Sequence, residues 1–357
     1  MTRSEPGGPP FWWNSFEMPK LSVQHQPSPL VESAPVNPDR PDIFERPVFI
    51  VGSGRSGTSW LQRLMLANPG VCGGPESNFF SNFAGAIRSF NKGARLPRAA
   101  GLANYFTADE LRDALRDLWR RGMRPMVERC PGATILLEKT PSHALWMAEI
   151  DELFPQSRFI HLIRDSRSVV ASLLAAGQSE WAGEWAPQST RAAAIQWYRH
   201  VRAAREAGRK LAPERYMELR YEDLLRDTVT QTMRCYQFIG LPLPRERVEQ
   251  IADEQTFEKQ KATGGTPFQR AGDLGKAPGV DKEPPGFFRK GTCDAWKSEL
   301  SIARKLIIWR YTRRLMRECG YDWNGPQPFP PSTGTPPHTG ASSSAPAVPP
   351  TATPTSA

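Results

Sequence analysis

The fold class of this chain is decided by one stretch, Phe49-Ile-Val-Gly-Ser-Gly-Arg-Ser-Gly-Thr-Ser-Trp60. An apolar run leads into a turn rich in Gly and Ser, and a helical pattern then extends to about Asn68. In a strand, turn and helix of this kind, successive backbone N–H groups and the positive end of the helix point to one place, where they can bind phosphate. The stretch therefore predicts an α/β protein with a phosphate-binding loop.

The turn differs from the nucleotide P-loop, G-x-x-x-x-G-K-[ST], in one residue that matters for chemistry. Gly52 and Gly57 have the required spacing, but Thr58 stands where the P-loop has the Lys that binds the β- and γ-phosphates of ATP. Arg55 lies inside the turn instead. We therefore expect a P-loop-like element with a different chemistry.

The remainder of the chain repeats the alternation of strands and helices. Further β-type runs cover 134–137, 158–163 and 216–219, and helical patterns cover 107–121, 166–175, 189–211, 227–239 and 298–318. Alternation of this kind predicts one three-layer α/β domain with a central parallel sheet. Ligands of such sheets bind beyond the carboxyl ends of the strands, which is where the P-loop-like turn lies.

Composition divides the chain into three parts. Residues 1–45 are rich in Pro, and residues 325–357 hold ten Pro among Ser, Thr, Ala and Gly, with one aromatic residue. A segment of the latter composition buries too little apolar surface to offset its ordering entropy. We expect a Pro-rich N-terminal extension at 1–45, the folded domain at 46–324 and a disordered tail at 325–357.

The charge of the predicted domain favours an anionic ligand. The formal net charge of the chain is +9, and residues 46–324 carry +12 because 1–45 has an acidic excess and 325–357 is uncharged. A compact basic body is typical of proteins that bind a nucleotide, a nucleic acid or an acidic glycan. Net charge alone does not choose among these ligands.

Cysteine usage and hydropathy disfavour several classes of protein. The five Cys residues are scattered without a C-x-x-C pair, which argues against a disulfide scaffold and against a zinc site. The apolar runs are shorter than the roughly 20 residues of a transmembrane helix, and the first residues lack the apolar stretch of a secretion signal. We therefore expect a cytoplasmic protein that binds no metal.

The loop Arg55-Ser-Gly-Thr-Ser-Trp60 resembles the Lys-Ser-Gly-Thr-Thr-Trp segment of sulfotransferases that use 3′-phosphoadenosine 5′-phosphosulfate (PAPS). The resemblance implies that this loop binds the 5′-phosphosulfate and that its Trp lies against the adenine. The residues concerned are Arg55, Ser56, Gly57, Thr58, Ser59 and Trp60. Arg55 replaces the Lys of the cytosolic members, and its guanidinium can still hold the bridging oxygen and the leaving phosphate.

Two further segments resemble the parts of this family that bind the 3′-phosphate. Arg164 closes a β-type run and Ser172 follows eight residues later, the spacing of the Arg and Ser that contact this phosphate in the family. Arg289, Lys290 and Gly291 resemble the Arg-Lys-Gly segment that closes over the same phosphate. The resemblance implies that these five residues form a clamp.

Two smaller matches follow the family order. Tyr221, in Tyr-Glu-Asp, resembles the Tyr that reaches the adenine, and Thr256 and Phe257 resemble residues that flank the purine. With these, five segments across residues 46–323 match in order. Each segment alone is only moderately specific for the family, whereas the five in the family order are very specific together.

The reaction centre departs from the cytosolic members. Lys139 lies in Leu137-Glu-Lys-Thr-Pro141, where those members have Lys-Thr-His with His as the base, and Pro141 replaces that His. The Glu-Lys-Thr-Pro form resembles the bacterial and Golgi carbohydrate branch, in several members of which a Glu shortly after the first helix acts as base. The matching residue is Glu76, in Gly73-Gly-Pro-Glu-Ser-Asn-Phe-Phe80.

The resemblance implies three catalytic residues. Glu76 would accept the acceptor proton, Lys139 would stabilise the transferring sulfonate and Arg55 would stabilise the leaving phosphate. His143, two residues past Pro141, is the alternative base. Structural roles stay open at this point, since Glu76 could be a salt-bridge partner of the basic loop and Lys139 could pair with Glu138.

These matches predict a PAPS-dependent sulfotransferase that moves a sulfuryl group to a hydroxyl or amine of a carbohydrate, glycolipid or small metabolite. The alternatives are a P-loop-like small-molecule kinase, a non-catalytic polyanion-binding protein and a sulfotransferase fold that only binds. The missing Walker Lys disfavours the kinase, and no recognised nucleic-acid motif supports the polyanion-binding protein. The acceptor stays open, with Trp181 and Trp185 as candidates for lining its pocket.

Overall fold

A central sheet of five parallel strands organises the domain. The computed structural model describes residues 42–98, 100–179, 185–263 and 291–327. Within these ranges the strand order is β2-β3-β1-β4-β5, with bounds β1 Val48–Gly52, β2 Val71–Gly73, β3 Ile135–Lys139, β4 Arg158–Ile163 and β5 Tyr216–Arg220. The central strand β1 is buried along its whole length, so the loop after it starts from the middle of the sheet.

Helices connect the strands and cover the sheet. Their bounds are α1 Thr58–Leu66, α2 Phe79–Ala94, α3 Ala108–Glu128, α4 Met147–Leu153, α5 Ser166–Ala176, α6 Thr190–Gly208, α7 Tyr221–Arg226, α8 Thr228–Ile239, α9 Arg245–Glu254, α10 Phe257–Thr263, α11 Trp296–Glu299 and α12 Ile302–Glu318. Short 3-10 turns occupy Gly101–Asn104, Pro141–Leu145 and Pro213–Arg215.

The two faces of the sheet bury different sets of helices. Because side chains alternate along a strand, Phe49 and Val51 face one side of β1 while Val48 and Ile50 face the other. The first pair packs with α2, α3 and α4, and the second pair packs with α1, α8 and α9. A third apolar cluster joins α5, α6 and α12. The predicted three-layer α/β domain with a parallel sheet is confirmed.

The main differences from the sequence prediction are elements that the patterns did not reveal. Strand β2 has three residues, too few for a periodic signal. Helix α9 is polar, with Val248 and Ile251 as its buried apolar residues. Helix α2 lies outside the predicted helical patterns. The last helix begins at Ile302 rather than near 298, because Ser301 caps it by accepting a hydrogen bond from the backbone N–H of Arg304.

A buried arginine ties the C-terminal segment to the body. The Arg167 side chain is fully buried, and its guanidinium is paired with Asp165 at 2.6 Å. It also donates to the backbone oxygens of Asp322 and Trp323, and it stacks on the ring of Trp296 at 3.8 Å. Trp296 is thereby held against α5, on which Arg167 lies.

The limits of the domain stay a prediction. The structure describes only residues 42–45 of the predicted extension and residues 325–327 of the predicted tail. Of these, Asp42 and Glu45 pair with Arg120 on α3, and the backbone oxygen of Gln327 accepts a hydrogen bond from Arg220.

Candidate active site

A large cavity opens at the carboxyl ends of the strands, where the predicted site residues lie. Its volume is about 750 Å³. The loops after β1, β3, β4 and β5 all contribute to its wall. The predicted residues that line it are Arg55, Gly57, Thr58, Ser59, Trp60, Glu76, Arg164, Ser172, Tyr221, Thr256, Phe257 and Gly291.

Four predicted residues do not belong to this lining. Arg289 and Lys290 lie outside the described residues. Ser56 is a buried residue of the loop, and its hydroxyl has no hydrogen-bond partner within the described part of the chain. Lys139 is buried as well, but it reaches two lining residues directly.

The loop between β1 and α1 is built for close approach to a ligand. Arg55 adopts φ 70° and Gly57 adopts φ 97°, so the backbone reverses within three residues before α1 begins at Thr58. Gly57 also packs against the ring of Tyr221 so closely that a Cβ atom there would lie 2.5 Å from the ring. Position 57 therefore requires Gly for both its dihedral angle and its neighbour.

Replacing Gly57 by Ala is expected to destabilise the protein by about 1–3 kcal/mol, because the new methyl group combines an unfavourable φ with a clash. Gly54→Ala is the matched control, since its Cβ would meet only the Trp185 ring at 3.8 Å, an ordinary contact. Urea denaturation of both variants and the parent would measure the difference. Equal stability of the two variants would contradict the argument.

Arg55 and Arg164 connect the loop to the end of β4. Arg55 Nε donates to Ser172 Oγ at 3.0 Å, so the loop arginine touches the serine predicted for the second phosphate site. Arg164 donates to the backbone oxygens of Arg55 at 3.4 Å and of Thr292 at 2.9 Å. Its guanidinium also lies 4.2 Å from the centre of the Tyr221 ring. The two predicted phosphate sites are therefore parts of one cationic wall.

Aromatic rings form the next part of the wall. Trp60 and Tyr221 meet edge to face with centroids 5.8 Å apart, and the Trp60 indole N–H donates to the Gln255 backbone oxygen at 2.8 Å. Gly291 approaches Phe257 so closely that a Cβ atom would lie 2.6 Å from its ring. Burial raises the pKa of Tyr221, and its hydroxyl donates to the Gly291 oxygen at 3.3 Å. This region can accept a flat aromatic group.

Two of the predicted catalytic residues, Lys139 at the end of β3 and Glu76 in the loop after β2, are in direct contact. Lys139 Nζ lies 2.5 Å from Glu76 Oε1 and 3.2 Å from Ser59 Oγ. The Lys139 side chain is 6% exposed, whereas that of Glu76 is 42% exposed and lines the cavity. The second carboxylate oxygen of Glu76 has no hydrogen bond to any described residue. Lys139 therefore pairs with Glu76 rather than with its neighbour Glu138.

Glu138 instead forms a buried cage behind Glu76. Its carboxylate accepts hydrogen bonds from the backbone N–H and the hydroxyl of Ser77, from Thr140 Oγ1 at 2.6 Å and from His143 Nδ1 at 2.8 Å. Burial alone would raise the pKa of Glu138, but its interactions with His143, Thr140 and Ser77 lower it to about 2. The cage holds the loop that presents Glu76.

The alternative base, His143, is unsuited to that role in this geometry. Its side chain is fully buried, and it does not line the cavity. Nδ1 is bonded to Glu138, and Nε2 accepts the backbone N–H of Phe80 at 3.2 Å. With both ring nitrogens engaged, the imidazole cannot take a proton from a molecule in the cavity.

Replacing Glu138 by Gln is expected to lower the free energy of unfolding at pH 7 by up to about 3 kcal/mol, because the carboxylate's favourable bonds are lost. Glu138 has a folded pKa of about 2 against 4.5 unfolded, so its contribution is present above pH 4.5 and is lost as the pH falls toward 2. The difference between variant and parent should therefore shrink on acidification. Denaturation at pH 7, 5 and 4 measures it, with exposed Glu246→Gln as control.

Several cavity residues escaped the sequence analysis. They are Asn78, Ser142, Gln196, His200 and others on the same walls. Gln196 and His200 are four residues apart, which places them on one face of α6. Because this helix was predicted, the sequence could have shown that the two side chains are neighbours. The sequence did not predict which face of α6 meets the cavity. Trp185 does line the cavity, and Trp181 lies outside the described residues.

Neither a metal-ligand cluster nor a membrane-spanning helix occurs among the described residues. No group of three or more His, Cys, Asp or Glu side chains in these ranges is arranged to hold a metal ion. No helix among the described residues is long and apolar enough to cross a bilayer.

Comparison with known proteins identifies similar chains. Residues 47–245, more than half of the sequence, match the family model described as "Sulfotransferase family". The omega-hydroxy-beta-dihydromenaquinone-9 sulfotransferase Stf3 of Mycobacterium bovis is 29% identical over 167 residues, 43% of this chain and 42% of that protein. Sulfotransferase 1A1 of Rattus norvegicus is 26% identical over 217 residues, 55% of this chain and 72% of that protein.

A solved structure is similar to this chain at a lower sequence identity. The sulfotransferase domain from the curacin biosynthetic pathway has a TM-score of 0.47 and 19% identity, covering 76% of this chain and 97% of that domain. The chain thus spans less than half of the mycobacterial relative and most of the smaller domain.

Proposed function

The chain belongs to the sulfotransferase family, and from this premise we propose that it transfers a sulfuryl group from PAPS to a hydroxyl or amine of a small acceptor. One observation carries the proposal. The cationic wall of Arg55 and Arg164 and the carboxylate of Glu76 line the same cavity, with Lys139 joining Glu76 to the P-loop-like turn. Sulfuryl transfer needs an anion clamp beside a base, and this arrangement supplies both.

The residues present fit PAPS as the co-substrate. The turn after β1 and the start of α1 offer backbone N–H groups to an anion. Arg164 Nε is buried without a hydrogen-bond partner among the described residues. A buried donor normally has a partner, and a phosphate oxygen of PAPS would supply one. The cavity of about 750 Å³ has room for a nucleotide and an acceptor.

We assign the binding residues as follows. The turn residues from Arg55 to Trp60 would hold the 5′-phosphosulfate, and Arg164 with Ser172 would hold the 3′-phosphate. Tyr221, Thr256 and Phe257 would surround the purine. The phosphate-binding roles of Arg289 and Lys290 stay predictions, because both residues lie outside the described ranges. Gly291 lies against Phe257 at the edge of this pocket.

PAPS supplies the sulfuryl group and leaves as the bisphosphate, 3′-phosphoadenosine 5′-phosphate (PAP). The acceptor oxygen forms a bond to sulfur, the bond from sulfur to the phosphate oxygen breaks, and the acceptor proton passes to the unbonded oxygen of Glu76. Lys139 keeps the carboxylate in place and offers positive charge to the sulfonate, while Arg55 stabilises the leaving phosphate. None of these roles requires a metal ion.

The acceptor is a small molecule in this proposal. The mycobacterial relative is named for a hydroxylated menaquinone derivative. A carbohydrate acceptor and a cytoplasmic location are proposals for this chain.

Calorimetric titration with PAP and with ATP and magnesium tests the function directly. We expect saturable binding of PAP that is at least tenfold tighter than binding of ATP, because Thr58 replaces the Lys that holds the ATP phosphates. Preference for ATP would support the kinase instead. The absence of any nucleotide binding would leave the polyanion-binding alternative.

A further inference from the structure

The peptide group that follows Arg164 is held by two buried side chains from other helices. Its carbonyl oxygen accepts a hydrogen bond from the indole N–H of Trp197 on α6 at 2.9 Å. Its N–H group, which belongs to Asp165, donates to Glu222 Oε1 on α7 at 3.0 Å. Trp197 is 0% and Glu222 4% exposed, so water hardly competes for these bonds. Both polar groups of this peptide are therefore engaged, and they fix the main chain where β4 ends.

The Glu222 carboxylate joins this peptide group to the C-terminal segment. Its second oxygen, Oε2, accepts the hydroxyl of Tyr321 at 2.6 Å. Burial raises the pKa of Tyr321 well above its usual value, so the hydroxyl keeps its proton and acts as the donor. The carbonyl oxygen of Ile163, which precedes Arg164, lies 3.4 Å from the same hydroxyl. Tyr321 and Glu222 thus form a buried bridge to the backbone around Arg164.

Tyr321 is itself held firmly, because both of its neighbours in sequence are anchored. The carbonyl oxygen of Gly320 accepts a hydrogen bond from Arg220 on β5 at 3.0 Å, and that of Asp322 accepts one from Arg167 on α5 at 2.9 Å. Tyr321 is 1% exposed and packs in the apolar cluster of α5, α6 and α12. The position of its hydroxyl is therefore fixed by the body of the domain.

The helix that carries Glu222 also contacts the far end of Arg164. Tyr221, the first residue of α7, places its ring centre 4.2 Å from the Arg164 guanidinium. Arginine has a long side chain with many rotamers, and fixing such a side chain beforehand reduces the entropy that it loses on binding a phosphate. Two consecutive residues of α7 therefore restrain Arg164, one at its backbone and one at its guanidinium.

We propose that Glu222 and Tyr321 are positioning residues that hold Arg164 in the orientation that binds the 3′-phosphate. The inference rests on the proposed function, since it assumes that Arg164 binds this phosphate. Neither Glu222 nor Tyr321 lines the cavity, so both act through Arg164. A residue that lies 158 positions beyond Ile163 thereby takes part in nucleotide recognition without touching the nucleotide.

The test compares two nucleotides that differ only in the 3′-phosphate. PAP carries this phosphate, and adenosine 5′-monophosphate (AMP) lacks it. Calorimetric titration of the full chain gives both dissociation constants, with the AMP value obtained by competition against PAP where its binding is weak. The ratio of the AMP constant to the PAP constant reports the contribution of the 3′-phosphate. A general loss of structure weakens the binding of both nucleotides and leaves this ratio in place.

Breaking or shortening the bridge is expected to lower this ratio. In Tyr321→Phe the ring still packs but Glu222 Oε2 loses its donor, and we expect the ratio to fall roughly fivefold to tenfold. In Glu222→Asp the charge remains while the carboxylate is too short to reach both partners, so the ratio should fall by a similar factor. This second variant decides the matter if Tyr321→Phe folds poorly.

Two further variants separate the reach of the bridge from its charge and from stability. Glu222→Gln keeps the reach, because its amide oxygen can accept the Asp165 N–H and its NH₂ group can donate to the Tyr321 oxygen, so its ratio should stay close to that of the parent. Tyr236→Phe controls for stability, since this buried tyrosine on α8 donates to the Leu64 backbone oxygen and does not line the cavity. It can lower the melting temperature but should leave the ratio unchanged.

Four results would overturn the inference. An unchanged ratio in both Tyr321→Phe and Glu222→Asp, with PAP bound by the parent, would remove it and leave the proposed function standing. An equal fall in Tyr236→Phe would show that stability sets the ratio, and an equal fall in Glu222→Gln would show that charge does. Failure of the parent to bind PAP would remove the proposed function and this inference with it.

Discussion

Replacement of Glu76 by Gln is expected to slow sulfuryl transfer by about 10²–10⁴-fold while nucleotide affinity changes little. The amide keeps the size of the side chain, and its oxygen can still accept the hydrogen bond of Lys139. What it loses is the ability to take the acceptor proton. Formation of PAP from PAPS, measured with an acceptor that supports turnover by the parent enzyme, reports the rate, and calorimetry with PAP reports the binding.

A matched substitution distinguishes the loss of the catalytic base from a general effect of removing a negative charge at the cavity. Glu258 on α10 also lines the cavity and has no part in the proposed step, so Glu258→Gln should keep the rate within a few-fold. Full activity of Glu76→Gln would refute the base assignment but not family membership. A parallel loss of PAP affinity in that variant would instead indicate that the Lys139–Glu76 pair holds the loop in shape.

Replacement of Arg164 by Ala is expected to weaken PAP binding by about 10²–10³-fold. Arg164 joins the end of β4 to the P-loop-like turn and to Thr292, and its Nε is a buried donor without a described partner. Removing a cation that binds a phosphate costs several kcal/mol of binding free energy, since charge-assisted bonds are strong and the phosphate is left unpaired. Titration calorimetry with PAP measures the loss.

The control for Arg164 lies at the opposite end of β4. Arg158 stands at the amino end of β4, where it donates to the Phe238 backbone oxygen at 2.9 Å, far along the strand from the cavity. Arg158→Ala should leave PAP affinity unchanged, although it can lower the melting temperature. If both variants bind PAP like the parent, Arg164 is a structural link between segments and the 3′-phosphate is held elsewhere.

Much of the architecture was predictable because it depends on local patterns. The runs at 48–51 and 158–163 and the turn after the first run obey rules of spacing that act within a dozen residues. The positions of Arg55 and Arg164 in the cavity follow from those rules, because each lies just after a predicted strand, whereas Glu76 was assigned from the family resemblance. Parallel strands bring such ends to one edge of the sheet.

Partnerships between distant segments were not predictable in the same way. Lys139 pairs with Glu76, 63 residues away, and not with its sequence neighbour Glu138. Arg55 bonds Ser172, 117 residues away. Neighbouring side chains on a strand point to opposite faces, so adjacency in sequence was a poor guide to contact. His143 is unsuited to act as the base because of its hydrogen bonds to Glu138 and to the backbone of Phe80, and the sequence does not reveal these two bonds.

The sequence by itself determined the fold class, the phosphate-binding turn and the set of charged residues available for the site. Backbone geometry and periodicity carry that information, since they are properties of short stretches. The tertiary structure alone decided which carboxylate faces the cavity and which is buried as a support. Those outcomes depend on burial and on hydrogen bonds between segments far apart in the chain, and such bonds exist only once the sheet has brought those segments together.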